Sequence, residues 1–480
     1  MQTANAHGRA TVVLVTLAFA STIAALMQTL VLPLLPQFPW WLHSSIADSQ
    51  WIATSTMLTG AIAGPLFGWL GDRVGLKRMI VAALIFLIVG SIISALAPNL
   101  AVMLVGRVLQ GFSAGVTGLA IAMARMTFEP ERLPWAVGIV SGTMGIGTGI
   151  GVPLAGFILQ WWPWQTVFWI TAACGLVALI AVGIAVPQSQ PGAAAQFDLL
   201  GAIGLSAILV LILLPLSMLT TWGFTSPLTL SLLAGALVVG AWWILRELRV
   251  PAPFVDLRLA VRRTVLASHI VALLMGIGFF LSFTSTVYLV QSTTGGGAGL
   301  NGSVLLTGIV QTPASVASII AAPFAAFVVR RTNARRAVII GATVAALAFG
   351  GRMVILDNGI AIALTAMLVS GAASFTFTAL PLALMTFVPL SLTGSANGLN
   401  VMMRQVGAAT ASVIAAVVLT ASMTSSHAIG ADTFRWLFAI GAAVSAASAV
   451  LMLTLGRSGS SSSAIGESDL RPPITPTFTA

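Results

Sequence analysis

The chain has 480 residues, of which 58% are hydrophobic and only 7% charged, and it carries a formal net charge of +10. Water-soluble domains hold about a quarter charged residues, so this composition excludes a soluble fold and names lipid as the solvent. The apolar stretches are continuous rather than alternating, which excludes a transmembrane β-barrel.

Roughly 20 apolar residues make one membrane-spanning helix, and on that measure the chain divides into about fourteen spans. Residues 1–10 form a short polar N-terminus. The apolar run after it is too long for a cleaved signal peptide and is read as a retained first span. Six spans are expected near 11–35, 49–70, 79–97, 99–125, 135–160 and 163–186, giving an N-terminal six-helix bundle over 11–186. Two more, near 198–220 and 227–248, lie in an inserted linker, 187–263, with its cytoplasmic loop. The last six, near 264–291, 301–329, 337–356, 359–385, 396–424 and 433–456, give a C-terminal six-helix bundle over 264–456. The Ser- and Pro-rich tail, 457–480, reads as disordered. The fold class is thus an all-α polytopic membrane protein.

Alternate loops are basic. One set carries Arg73, Lys77 and Arg78; Arg125 and Arg132; Arg246, Arg249, Arg258, Arg262 and Arg263; and Arg330, Arg331, Arg335 and Arg336. The opposite loops hold little beyond Arg352 and Arg435. Positive loops stay on the cytoplasmic side, so both termini are expected in the cytoplasm and the protein in the plasma (inner) membrane. This placement also accounts for the net charge without a nucleic-acid partner. Trp40, Trp41 and Trp51, with Trp161, Trp162 and Trp164, fall on the outer face and read as an interfacial belt. A basic loop follows the second span of each six-span set, an internal repeat typical of secondary transporters.

The sharpest motif is Gly68-Trp-Leu-Gly71-Asp72-Arg73-Val-Gly75-Leu-Lys77-Arg78. Gly68 and Gly71 suit close helix approach, and the basic residues anchor the loop. This segment resembles the loop between the second and third spans of the major facilitator superfamily. Gly106-Arg107-Val-Leu-Gln110-Gly111 resembles the fourth-span motif, and Phe128-Glu-Pro130-Glu131-Arg132 the loop after it. Phe197-Asp198-Leu-Leu-Gly201, Pro253-Phe-Val-Asp256-Leu, Tyr288-Leu-Val-Gln291 and Met403-Arg404-Gln405-Val-Gly407 resemble segments of the fourteen-span drug:proton antiporter group. The resemblance covers about residues 11–456 and implies two six-helix bundles with two extra central spans.

Two segments depart from that pattern. The antiporter motif of the fifth span ends here in Val152-Pro153-Leu-Ala-Gly156-Phe157, preceded by Gly142, Gly145, Gly147, Gly149 and Gly151. The glycine-rich helix, with Gly145, Gly149, Pro153 and Gly156, is retained while its end differs. In the first span the acid expected by resemblance is replaced by Met27, in Met27-Gln28-Thr29-Leu-Val-Leu-Pro33.

Ionisable groups at bilayer depth are functional candidates. Arg107 is the clearest, either contacting substrate or held by carbonyls and Gln28 or Gln110 as a packing cation. No acid lies at mid-span, so Asp72, Glu131, Asp198 and His269 are the candidates for a proton, His269 also reading as a packed polar residue. Asp72 and Arg404 either latch the cytoplasmic side or serve separately. Polar cavity candidates are Gln28, Thr29, Arg107, Gln110, Gln291, Gln311, Asn397 and Asn400, with Met27, Phe112, Phe280, Phe283, Phe375 and Phe377 as apolar walls. The gating set is Gly68, Gly71, Asp72, Arg73, Gly75, Arg78 and Arg404; the substrate or coupling set is Gln28, Arg107, Gln110, Gln291 and Asn400.

Nothing resembles a nucleophile–base pair, metal-ligand spacing or phosphate loop. Cys174 is the single cysteine, so no intrachain disulfide forms. The expectation is a monomeric, cofactor-free exporter of hydrophobic or amphipathic small molecules such as drugs or antibiotics, linked to protons. Its alternatives are a lipid or endogenous-metabolite exporter, an uncoupled facilitator, and a non-transporting membrane sensor.

Overall fold

The structure is a computed structural model, described over residues 2–129, 132–188, 198–250, 253–255, 257–292, 298–385, 393–421 and 429–455. The tail expected to be disordered and the acids Glu131 and Asp256 lie outside the described residues, as do the side chains of Asp72 and Asn397.

The first six long helices are α1 (Gln2–Leu30), α2 (Ile46–Val74), α3 (Leu76–Ala95), α4 (Leu100–Thr127), α5 (Leu133–Trp161) and α6 (Gln165–Ala185). Then come α7 (Leu199–Ser217) and α8 (Pro227–Glu247). The last six are α9 (Arg263–Gln291), α10 (Val304–Arg331), α11 (Ala334–Arg352), α12 (Gly359–Met385), α13 (Thr393–Ala421) and α14 (Ala431–Leu455). Helix α4 tightens to a 3-10 turn at Phe112–Ala114. Over the described residues twelve helices are long and apolar enough to cross a membrane. The expected count of fourteen includes α2 and α5, which are not among those twelve.

Helix starts follow local chemistry. Ser45, Asn99, Asp198, Ser303 and Asn333 each accept a backbone N–H three residues on, capping α2, α4, α7, α10 and α11. Between α2 and α3 the chain turns at Gly75, with φ +106°. A side chain at that angle is strained, which is the physical reason for glycine at this point of the motif.

The two six-helix sets pack in corresponding ways. α3 packs on α6, and α11 on α14. Lys77, at the start of α3, donates to the Gly183 carbonyl in the last turn of α6 at 2.8 Å. Arg335, at the start of α11, donates to Met452 and Leu453 carbonyls in the last turn of α14 at 3.0 and 2.8 Å. In each set a basic side chain therefore closes a helix C-terminus, where carbonyls lack intrahelical partners. The sets meet along two seams, α2 on α13 and α5 on α10. These are reciprocal pairs, the second helix of one set with the fifth of the other.

Helices α7 and α8 pack on each other, and α7 lies over the α2–α13 seam, where Leu209 meets Ala61 and Met402. Their basic-loop ends are tied by charge. Asp198 is ion-paired with Arg246 and accepts the Phe254 N–H at 3.1 Å, while the buried Glu247 accepts from Val255 at 3.1 Å and Arg246 at 3.2 Å.

Small residues set the helix spacing. A Cβ on Gly106 of α4 would collide with Ser94 and lie 2.7 Å from the Gly90 carbonyl of α3. A Cβ on Gly276 of α9 would lie 2.5 Å from the Arg404 carbonyl of α13. Gly71 touches Leu119 and Leu76 side chains in the same sense, whereas Gly68 has open space, so of the two motif glycines only Gly71 serves close approach. Accordingly Gly106→Ala, which overpacks the α3–α4 contact, is expected to destabilise by about 1–3 kcal/mol. Gly118→Ala in the same helix meets nothing within 4 Å and is expected to be neutral or to stabilise by up to about 1 kcal/mol. Thermal unfolding in detergent compares the two.

Candidate functional site

A cavity of about 750 Å³, its open mouth included, lies between the two six-helix sets. Gln28 of α1 and Thr117 and Ile121 of α4 form one wall. The facing wall comes from Phe279 and Phe280 of α9, Ser318 of α10, and Ser374, Phe377, Thr378 and Pro381 of α12. Val401, Arg404 and Gln405 of α13 complete it. No carboxylate is among these described residues.

The aromatic wall is ordered by ring contacts. Phe279 meets Phe280 and Phe377 edge to face, with centroids 5.4 and 5.8 Å apart. The Arg404 guanidinium carbon sits 5.0 Å from the Phe377 centroid, within cation–π range. Ser374 donates to the Ser318 carbonyl at 2.8 Å, and Thr378 to the Ser374 carbonyl at 3.0 Å. These hydroxyls leave oxygen lone pairs as acceptors. The cavity thus offers aromatic faces, weak acceptors, two amides and one cation, a mixture suited to amphipathic ligands.

At the far end, opposite the basic loops, the sets are closed by direct contacts. Gln50 of α2 donates to the Tyr288 hydroxyl of α9 at 2.6 Å, and Thr54 to Ser412 of α13 at 2.8 Å. Along the other seam, a Cβ on Gly156 would lie 2.8 Å from the Val304 carbonyl, and one on Gly308 would lie 2.9 Å from the Pro153 Cα. Trp41 and Trp164 stack at 5.9 Å and Phe38 packs edge-on to both, so these two tryptophans of the expected belt are anchors, while Trp40, Trp161 and Trp162 are exposed.

Of the residues expected to carry substrate or coupling, the structure brings Gln28 to the cavity, and with it Arg404, Phe280 and Phe377. The others sit elsewhere. Arg107 is 1% exposed and ties three helices together. Its Nε donates to the Ile52 carbonyl at 2.9 Å, and one terminal nitrogen to Gln110 at 2.6 Å and the Met27 carbonyl at 3.4 Å. Gln110 in turn donates to Ser91 at 2.7 Å. Of the two readings of Arg107, this geometry matches the packing cation, with Gln110 rather than Gln28 as its amide partner. Met27, the residue in the place of the expected acid, also offers its sulfur to Arg107 at 3.9 Å. A thioether therefore occupies the spot where a carboxylate would have met the guanidinium.

Gln291 donates to the Pro33 carbonyl and Thr307 at 3.0 and 3.3 Å, tying the far-end loop to α10. Asn400 donates to the Ser268 carbonyl at 3.1 Å. Phe112 stacks on Phe67, and Phe375 packs on Phe324. In α5, which also holds Gly145 and Gly149, Gly147 and Gly151 abut Ala25 and Thr29 of α1, while Pro153 and Gly156 abut α10. In the loop motif, Arg78 is exposed and Arg73 half-buried. Arg352, expected in a far-side loop, is instead buried in the last turn of α11. It donates to Ser282 at 2.7 Å and to Thr286, and lies 4.5 Å from the Phe438 centroid.

Thr117, Phe279, Ser318, Ser374, Thr378 and Gln405 line the cavity without having been singled out by residue type. Spacing carried the missing signal. Ser374, Phe377, Thr378 and Pro381 fall at i, i+3, i+4 and i+7, and Val401, Arg404 and Gln405 at i, i+3 and i+4, each a single helical face.

Residues 17–412 match the model of the Major Facilitator Superfamily. The tetracenomycin C resistance and export protein of Streptomyces glaucescens is 28% identical over 417 residues, 86% of this chain and 76% of that protein. A multidrug resistance protein B homolog of Mycobacterium tuberculosis is 27% identical over 315 residues, 64% of this chain and 56% of its own length. Among solved structures, the xylose transporter XylE from E. coli, in a partially occluded inward open conformation, superposes with TM-score 0.64 at 11% identity, covering 93% of this chain and 97% of that one. The human organic anion transporter MFSD10 gives 0.63 at 16%, covering 92% and 99%.

Arg107→Met strips partners from buried carbonyls and Gln110, and unsatisfied buried groups cost about 1–3 kcal/mol each. We expect a large loss of folded protein on size-exclusion chromatography. Met27→Asp, which places a carboxylate beside Arg107, should retain folding, whereas Met27→Lys, a like charge at the same spot, should not.

Proposed function

The chain belongs to the Major Facilitator Superfamily, and from that premise we propose that it exports hydrophobic or amphipathic small molecules by alternating access, linked to protons. As a superfamily member it is a multi-pass membrane transporter rather than an enzyme, with drug- and antibiotic-efflux proteins among its relatives at low identity. The observation that carries the reading is the cavity between the two sets, walled by Phe279, Phe280 and Phe377 and holding Arg404. Large aromatic walls with few polar groups take many apolar ligands. Arg404 in a lining without a described acid favours neutral or anionic compounds over cations.

In this reading the chain crosses the plasma membrane fourteen times. Helices α2 and α5 are 29 residues each, about 43 Å at 1.5 Å per residue, long enough to span. The domains are then the two bundles, 11–186 and 264–456, with 187–263 as the inserted pair. Both termini face the cytoplasm because the basic loops do. Dense far-end contacts, with the cavity extending toward Ile121 and Pro381 on the basic-loop side, suit a conformation closed outward. The Gly68–Arg78 loop motif and Arg404 form the conformational set, with Asp72 and Arg404 meeting when the cytoplasmic side closes.

Reconstituted vesicles with an acidic interior test the scheme, since protons leaving would drive ligand in. The fluorescent anion 8-anilinonaphthalene-1-sulfonate is expected to accumulate several-fold above protein-free vesicles, and the cation tetraphenylphosphonium to show no such gain. Phe377→Ala should weaken apparent affinity about tenfold, equivalent to roughly 1.4 kcal/mol of aromatic contact. Movement that ignores the gradient would sink the proton linkage, and no movement of either ion would count against export of charged amphiphiles.

A further inference from the structure

Proton-linked transport needs a group that binds and releases a proton, and neither the described cavity lining nor Met27 supplies a carboxylate. One titratable ring inside the second bundle is unaccounted for. His269 lies six residues into α9, about 9 Å from its basic-loop end at 1.5 Å per residue. It is 4% exposed, and neither ring nitrogen has a hydrogen-bond partner. Buried polar atoms are ordinarily satisfied, so a buried imidazole with both nitrogens open is not explained by packing.

Its neighbours are already engaged. Asn400 of α13 donates to the Ser268 carbonyl, not to the ring, and the Ser268 hydroxyl donates to the Thr264 carbonyl at 2.9 Å. His269 is in register with the cavity. Eleven residues separate it from Phe280, and at 3.6 residues per turn they bring the two side chains to within about 20° on one face of α9. Gly276, against the Arg404 backbone, falls on that face between them.

Among the described residues the charged surroundings are cationic. Arg404 of α13 is the charged group on the helix that packs along this face. Arg258 on the short helix leading into α9 donates to the Leu248 carbonyl, and Arg263 opens α9 itself. Helix α12 carries no charged residue, and neither does the sequence 386–400. In α10 the charges are Arg330 and Arg331, at its basic end. The charges of α14, Asp432 and Arg435, pair with each other at the far end.

We propose that His269 is the proton-binding group of this transporter, taking the place of a membrane carboxylate. The inference rests on the proton-linked reading above. In the packed arrangement the ring is buried and carries no extra proton. When the basic-loop end of α9 admits water, an open ring nitrogen takes a proton from it. The resulting imidazolium, with arginines and no described acid at the basic-loop ends of the elements packed against it, holds that segment hydrated until the proton returns to water. Protonation thereby favours one conformation and deprotonation the other, the linkage that antiport requires.

The first measurement needs no transported ligand, and the second follows uptake of 8-anilinonaphthalene-1-sulfonate. Spin labels at Met126 and Thr332, exposed positions at the basic-loop ends of α4 and α10, are introduced with Cys174→Ala. Their distance distribution is measured in lipid nanodiscs from pH 5.5 to 8. The expected result is a pH-driven shift of several ångström that His269→Gln and His269→Phe both abolish, while each variant keeps its monodisperse elution. A shift that survives in either variant, or no shift with His269 present, overturns the assignment. Gradient-driven uptake that persists in His269→Gln also overturns it while leaving proton-linked transport standing. Uptake by the unaltered protein that ignores the gradient removes both.

Discussion

Hydrocarbon offers no hydrogen bonds, so a polar group inside it is costly unless it finds a partner within the protein. Arg107 is a demanding case, a guanidinium buried to 1% exposure with no carboxylate beside it among the described residues. Carbonyls of Ile52 and Met27 and the amide of Gln110 take its donors. Those partners belong to α2, α1 and α4, so meeting the demand of one side chain fixes three helices. Arg352 acts alike in the second bundle, joining α11 to α9 through Ser282 and Thr286 and to α14 through the Phe438 ring. Among the described residues each bundle thus has one fully buried arginine joining its helices, and the cavity lies between the two.

The seams between those bodies follow a different rule. Helices cannot attract one another hydrophobically in lipid, so contact relies on close packing and a few hydrogen bonds. The α5–α10 seam uses Gly156, Gly308 and Pro153 to bring backbones together. The α2–α13 seam uses Thr54 with Ser412. Such contacts join the two bodies through close backbone approach and few hydrogen bonds.

The element pattern was legible because apolar runs separated by arginines are a strong signal, and the repeat because its two basic loops sit at matching places. The Lys77 and Arg335 clasps show that those loops correspond in contacts as well as in charge. The cavity was less legible. Selecting polar residues by type picked Gln110, Gln291 and Asn400, all of which are engaged in holding helices together. What distinguishes a lining residue is the direction it faces, and the stripe from Ser374 to Pro381 encodes that through spacing. Arg352 was misplaced because a charge next to a loop reads as part of it, whereas α11 continues through this residue before turning. The role of Met27 needed three dimensions, since nothing in the chain order announces that it sits against Arg107.

Helix α7 lies over the α2–α13 seam, with Leu209 between Ala61 and Met402. Among the described residues the α5–α10 seam has no comparable contact with α7 or α8. Seen in the plane of the bilayer, the molecule therefore has a front and a back. A solute diffusing within the leaflet meets α7 over one seam and no such helix over the other, so two seams built from corresponding helices are unequal toward lipid.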